Sequence, residues 1–145
     1  MLVCVFLEYF TKGYVGLKKS KRRQIYASLR RLEFDLMEFR RNKSFNLDNP
    51  SEFFDMMLLF LHKSGRYTYQ ESTFLGGMID PDHLIGDCNQ IVSLYVHLWR
   101  LFFDIRDLSI KLPKNHIVLS YKGCDIEATN GMRTCLLYTS PSPRD

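Results

Sequence analysis

An α+β fold, helices first and an antiparallel sheet after them, follows from three features of the sequence. Ile25, Leu29, Leu32, Leu36 and Phe39 recur at spacings of 4, 3, 4 and 3, the period of one buried helix face. Asn49-Pro50-Ser51-Glu52 reads as a helix start, with a polar cap, a proline at the first helical position and a carboxylate in the first turn. The last third of the chain breaks into short apolar runs, two of them separated by Lys122-Gly123. That dipeptide is a plausible hairpin turn, with glycine supplying the positive φ.

The elements follow in order. The first stripe predicts a long helix over about 17–42. A second helix carries Phe53, Met57, Leu58 and Leu61 and stops at Gly65, where a helix end finds a left-handed residue. Tyr67-Thr68-Tyr69 is a short extended piece. Gly76-Gly77 and Asp80-Pro81-Asp82 mark an irregular loop. A third helix begins near Asp87 or Cys88 and runs to about Phe103, with Ile91, Leu94, Tyr95, Leu98, Leu101 and Phe102 facing inward. Strands are expected over 105–112, 116–121 and 124–129.

Charge is uneven along the chain. Residues 1–50 carry eleven Lys and Arg against five acids, and residues 51–145 nine against eleven. The basic residues, among them Lys19, Arg22, Arg30, Arg31, Arg40 and Arg41, lie mostly off the apolar stripe, as on a solvated helix face. Aromatics do not interleave with them in a way that would stack bases, so nucleic acid is not the expected partner despite the basic helix. Residues 1–10 are apolar but interrupted by Glu8. They lack the basic lead of a signal peptide and the roughly 20 residues of a span, so no membrane association is expected.

Residues 135–145 read Cys-Leu-Leu-Tyr-Thr-Ser-Pro-Ser-Pro-Arg-Asp. All eleven match the translation of a transposon-type sequencing adapter, and such segments are left out of fold reasoning. The natural sequence is then expected to be cut off near Thr134. Cys4, Cys88 and Cys124 remain, an odd and irregular set that argues against a disulfide framework and fits a reducing, cytoplasmic setting.

Cys88 lies in Gly86-Asp87-Cys88-Asn89-Gln90, ahead of an apolar helical stretch; His116 follows 28 residues later and Glu127 eleven after that. Cysteine at a helix start, histidine on one strand and a carboxylate on the next is the layout of a thiol acyl-transfer site. The helix N-terminus and an imidazolium favour the thiolate, and the carboxylate orients the imidazole. If Tyr121 pairs with Cys124 across the hairpin, Val118 faces Glu127 and His116 faces Thr129. His116 and Glu127 are then diagonal neighbours on one face. Asp125 falls on the same face one step further off and is the reserve acid. Cys124 faces the other way and reads as a core residue, and His62 as a helix-end dipole partner. Asp80, Asp82, His83, Cys88 and His97 lack the paired spacing of metal ligands, so neither a metal nor another cofactor is expected.

Gly-x-Cys opening a helix, the following His, and Glu127-Ala128-Thr129 where Asp-Pro-Thr is usual resemble the transglutaminase-like cysteine-enzyme superfamily. Arg66-Tyr67-Thr68-Tyr69 is similar to the aromatic and basic segment that often precedes its nucleophile helix. The resemblance covers about 51–131. It implies a papain-like core in which the sheet packs on the nucleophile helix. Cys88 would be the nucleophile, His116 the general base and acid, and Glu127 the orienting group. The Cys88 N–H would be one oxyanion donor, with Tyr69, Gln70 and Asp87 as further oxyanion or pocket candidates. The implied substrate is an amide of a peptide or protein. The chain divides into a basic helical region over 1–49, a transglutaminase-like core over 50–134 and the adapter-like tail over 135–145. The alternative is an idle domain of this fold that serves as a protein-interaction module.

Overall fold

The computed structural model describes residues 19–71, 77 and 80–135. The apolar opening with Cys4, residues 17 and 18 of the expected first helix, Gly76 and residues 136–145 lie outside the described residues.

Helix α1 (Lys19–Lys43) buries Ile25, Leu29, Leu32 and Leu36, the stripe read from the spacing. Phe39 is half-buried and packs between the Phe45 and Phe60 rings. The basic residues stay off the buried face, and Arg31 and Arg41 pair along the helix with Asp35 and Glu38. Exposed pairs of this kind contribute little to stability, ~0–1 kcal/mol each.

Helix α2 (Glu52–Met57) begins slightly later than Pro50. The Asn49 side chain still accepts the Ser51 N–H at 3.2 Å. Glu52 Oε1, however, accepts from Asn46 N–H at 3.3 Å, so no reciprocal capping box forms there. The helix passes directly into a π-helical segment (Leu58–Lys63), which no residue pattern announces. Gly65, at φ 77°, turns the chain away.

β1 (Tyr67–Tyr69) pairs in parallel with β2 (Leu84–Gly86), Tyr69 opposite Gly86. The second of these strands lies between the expected irregular loop and the expected helix, where no element was foreseen. Helix α3 (Cys88–Trp99) follows at once. Asp87 caps it: its side chain accepts from the N–H groups of Asn89 and Gln90, and Gln90 Oε1 accepts from Asp87 N–H. The helix ladder stops at Trp99, short of Phe103, and single turns carry the chain on. Asp104 accepts from Arg106 N–H at 2.9 Å and starts a short 3₁₀ turn (Ile105–Asp107). That local cap replaces the first part of the strand expected from 105.

Strands β3 (Ser109–Lys111), β4 (Val118–Tyr121), β5 (Cys124–Glu127) and β6 (Met132–Cys135) form one antiparallel sheet in chain order. The register is the one read from the hairpin: Tyr121 faces Cys124, Ser120 faces Asp125 and Leu119 faces Ile126. Lys122 and Gly123 both have positive φ, 46° and 81°, as a two-residue turn between twisted strands requires. His116 lies two residues ahead of β4, not within it.

β6 is the element the sequence analysis lacked. Cys135, the first residue of the adapter-like segment, closes it, directly opposite Cys124. The two form a disulfide, so Cys124 is a half-buried bridge residue and not the buried free thiol expected of it. Directly opposed strand positions bring Cβ atoms close enough for such a bond.

The core lies between the three helices and one face of the sheet. Phe53 and Phe54 pack against Trp99 at ring-centroid distances of 5.1 and 5.5 Å, and Trp99 meets Tyr121 at 5.3 Å. Leu119 and Ile126, opposed on neighbouring strands, are fully buried there. The fold is therefore α+β, with the helix that begins at Cys88 packed on the sheet that carries Glu127.

Candidate active site

Three segments meet at the start of α3. The capping box fixes Asp87 and makes Cys88 the first helical residue. β1 runs beside β2 and brings Tyr69 and Gln70 alongside Gly86, and Gln70 N–H donates to Gly86 O at 3.1 Å. Buried Tyr67 donates its hydroxyl to the same carbonyl at 2.7 Å. The backbone N–H of Ile117, the residue between His116 and β4, lies near enough to the Cys88 sulfur to favour its thiolate.

His116 Nε2 lies 2.8 and 2.7 Å from the two Glu127 oxygens. Thr129 donates its hydroxyl to Glu127 Oε2 at 2.9 Å, so the carboxylate is held from both sides. Both side chains are about a third exposed, 34% for His116 and 30% for Glu127. With Nε2 on Glu127, Nδ1 is the ring nitrogen left for other chemistry. Asp125 is held by Lys111 at 2.9 Å instead. Among the described residues no hydrogen bond joins the Cys88 sulfur to the His116 ring.

Cys88 is half-buried and carries no disulfide. Burial pushes its thiol up, and the Asp87 carboxylate beside it acts in the same direction. The N–H groups of Ile117, Cys88 and Asn89 pull the other way without cancelling the rise. The helix-start thiolate expected from sequence is thus, in this conformation, a protonated thiol. Burial is the larger cause, and the carboxylate that caps the helix adds to it by placing a negative charge next to the sulfur.

The pocket candidates separate by what they have left to offer. The Asp87 N–H is taken by Gln90 and its carboxylate by the helix start, so it has no donor for an oxyanion. The Gln70 N–H is taken by Gly86. Tyr69, 45% exposed, lies close enough to Cys88 and Asp87 that their charges contribute to a raised phenol pKa, after desolvation and Glu71. Of the three, Tyr69 is the one whose hydroxyl makes no hydrogen bond among the described residues.

The residues weighed as metal ligands are dispersed. On the surface, His83 Nδ1 meets Asp80 at 3.1 Å. Buried His97 Nε2 meets Glu33 of α1 at 2.6 Å, with Arg100 also on Glu33 at 3.3 Å. His62 is no dipole partner: burial lowers its pKa from 6.5 to about 4, and its Nε2 meets the Tyr95 hydroxyl at 2.9 Å. The part taken by Tyr67, His62 and the Ile117 N–H carried no sequence signal; only the resemblance of the Arg66–Tyr69 segment pointed near it.

No helix among the described residues is long and apolar enough to cross a membrane. No family model matches the chain, and no curated protein or solved structure is recognisably similar to it.

Proposed function

We propose that the chain is a papain-like, transglutaminase-like thiol hydrolase or acyltransferase acting on amides of peptides or proteins. The observation that carries this reading is the His116–Glu127 pair, buttressed by Thr129, with the N–H of the next residue, Ile117, near the one free cysteine among the described residues.

The chemistry follows from the protonated thiol. As substrate arrives, the Cys88 S–H proton passes to His116 Nδ1 and the sulfur attacks the amide carbon. Glu127 on Nε2 stabilises the imidazolium that forms. The carbonyl electrons move onto oxygen, where the Cys88 N–H and the Tyr69 hydroxyl can donate. The oxyanion collapses, the C–N bond breaks, and His116 returns its proton to the leaving nitrogen. The thioester is then attacked by water or by an amine, whose proton His116 takes; the C–S bond breaks and His116 returns that proton to the Cys88 sulfur. This is general-base activation during attack, as distinct from a resting ion pair.

The raised thiol and the missing Cys88–His116 hydrogen bond also favour a second reading, a catalytically idle domain that binds a protein partner. One experiment separates them. Wild type and Cys88→Ala are compared for hydrolysis of an activated acyl ester and for ammonia release from a glutamine peptide, with mass-spectrometric trapping of an acyl adduct. Turnover and an adduct on Cys88, both lost in Cys88→Ala, support the enzyme. Equal background rates in the two proteins leave the binding domain.

A further inference from the structure

His62 is a half-buried histidine in a π-helical turn, and the proposed mechanism makes no use of it. Short π-helical turns occur often near functional sites, because they displace side chains from the ordinary helical positions. This one sets His62 between two loops that matter. Its Nε2 meets Tyr95 O–H at 2.9 Å, and its ring stands edge-on to Tyr67, 5.6 Å between centroids. Tyr67 in turn holds the Gly86 carbonyl, two residues before Cys88. The same Nε2–Cδ2 edge of the imidazole also lies against Gly131. A Cβ there would come within 2.7 Å of His62 Cδ2 and 2.8 Å of a Leu58 methyl, and the glycine sits at φ 79°. Gly131 N–H closes the turn after β5 by donating to Glu127 O at 2.7 Å. One side chain therefore touches the support of the Cys88 loop and the turn that follows Glu127.

We infer that His62 is a positioning residue for the Cys88–His116–Glu127 site, spacing the Cys88 loop and the Glu127 turn from beneath both. The inference rests on the thiol-enzyme reading for its functional meaning, though the spacing itself can be measured without turnover. Gly131 belongs to the same device: its missing side chain lets the Glu127 turn close down on the imidazole.

The test uses the full chain and four variants. His62→Gln keeps an acceptor for the Tyr95 hydroxyl, His62→Leu keeps bulk without one, Gly131→Ala drives a methyl into the ring, and Gly131→Ala/His62→Ala removes that clash. Two readouts are taken: kcat and KM on an activated acyl ester, and the imidazole titration of His116 followed by NMR. His62→Leu and Gly131→Ala are expected to lose on the order of tenfold or more in kcat at little-changed KM, since small misplacements of catalytic groups are costly. Both should also shift the His116 titration. His62→Gln should stay near wild type, and the double variant should regain part of what Gly131→Ala loses. Should Gly131→Ala not fold, the His62→Leu and His62→Gln pair decides. Wild-type kcat and an unmoved His116 titration in folded His62→Leu overturn the inference. Absence of Cys88-dependent turnover in wild type overturns the enzyme reading instead, and the His116 titration then judges the spacing by itself.

Discussion

Lys111 Nζ lies 2.9 Å from Asp125 Oδ1, and this pair decides which carboxylate serves His116. Asp125 and Glu127 are alternate residues of β5, so both project from the same face of the sheet. Lys111 of β3, reaching across β4, supplies a cation to the first. The second is left to the imidazole, with Thr129 holding it in place.

Glu127→Gln should therefore keep the fold while lowering Cys88-dependent turnover by on the order of 10²-fold or more. An amide can orient the ring but cannot stabilise an imidazolium. Asp125→Asn removes a partly exposed ion pair, worth ~0–1 kcal/mol at most, and should change turnover little. Steady-state rates with circular dichroism on each variant check both. Equal losses in the two variants would remove Glu127 from its assigned role.

Asp87 has two effects that can be pulled apart. As cap it stabilises α3, and Asn caps about as well as Asp. As a charge it raises the neighbouring thiol. Asp87→Asn should keep the helix and move the pH midpoint of Cys88 alkylation by iodoacetamide downward. Asp87→Ala loses the cap as well, at a cost of about 1 kcal/mol. An unmoved alkylation midpoint in Asp87→Asn would mean that burial alone holds the thiol protonated.

What could be read from sequence was local and periodic. The α1 stripe depends on five apolar residues at helical spacing, and the hairpin register on one dipeptide turn; both appear as expected. The His116–Glu127 contact followed from that register, since strand alternation converts a turn position into a shared face. What failed depended on partners distant in sequence. Leu84–Gly86 becomes a strand because Tyr67–Tyr69 lies beside it. β6 forms because β5 offers it an edge. The π-helical turn accommodates His62 between Tyr95 and Gly131, 33 and 69 residues away. The thiol's rise was missed because a helix start was read as favouring the thiolate, without counting burial first and the charge of the capping carboxylate second.

Leu119 marks the boundary between stability and chemistry in β4. It is fully buried and faces Ile126, on the core side of the sheet. Leu119→Ala should cost about 2–5 kcal/mol, read as a lower urea midpoint at unchanged slope. The His116–Glu127 pair should survive it, so turnover per folded molecule should change little below the unfolding range. Loss of turnover in step with His116→Ala, in a folded Leu119→Ala, would place the residue in the site and not in its support.

His62 also gives the stability a pH dependence of definite sign. Burial lowers its pKa from 6.5 to about 4, so between those values the unfolded chain binds a proton that the folded chain refuses. Stability then rises with pH through that window and is lost as pH falls from about 6.5 toward about 4. His97 acts in the same direction, lowered by burial first and by Arg100 second and raised in part by Glu33. Urea unfolding at about pH 7 and about pH 5 should show a clear fall in midpoint at the lower pH. His62→Gln removes one of the two histidines while keeping an acceptor for Tyr95, so it should flatten that dependence. Asp80 and Asp104, whose carboxyls are held low by hydrogen bonds, add a further loss only at lower pH, which keeps the two effects separable. A wild-type pH dependence in folded His62→Gln would assign the proton to His97 and would mean that the imidazole at position 62 is more accessible to water than its place beneath Gly131 allows.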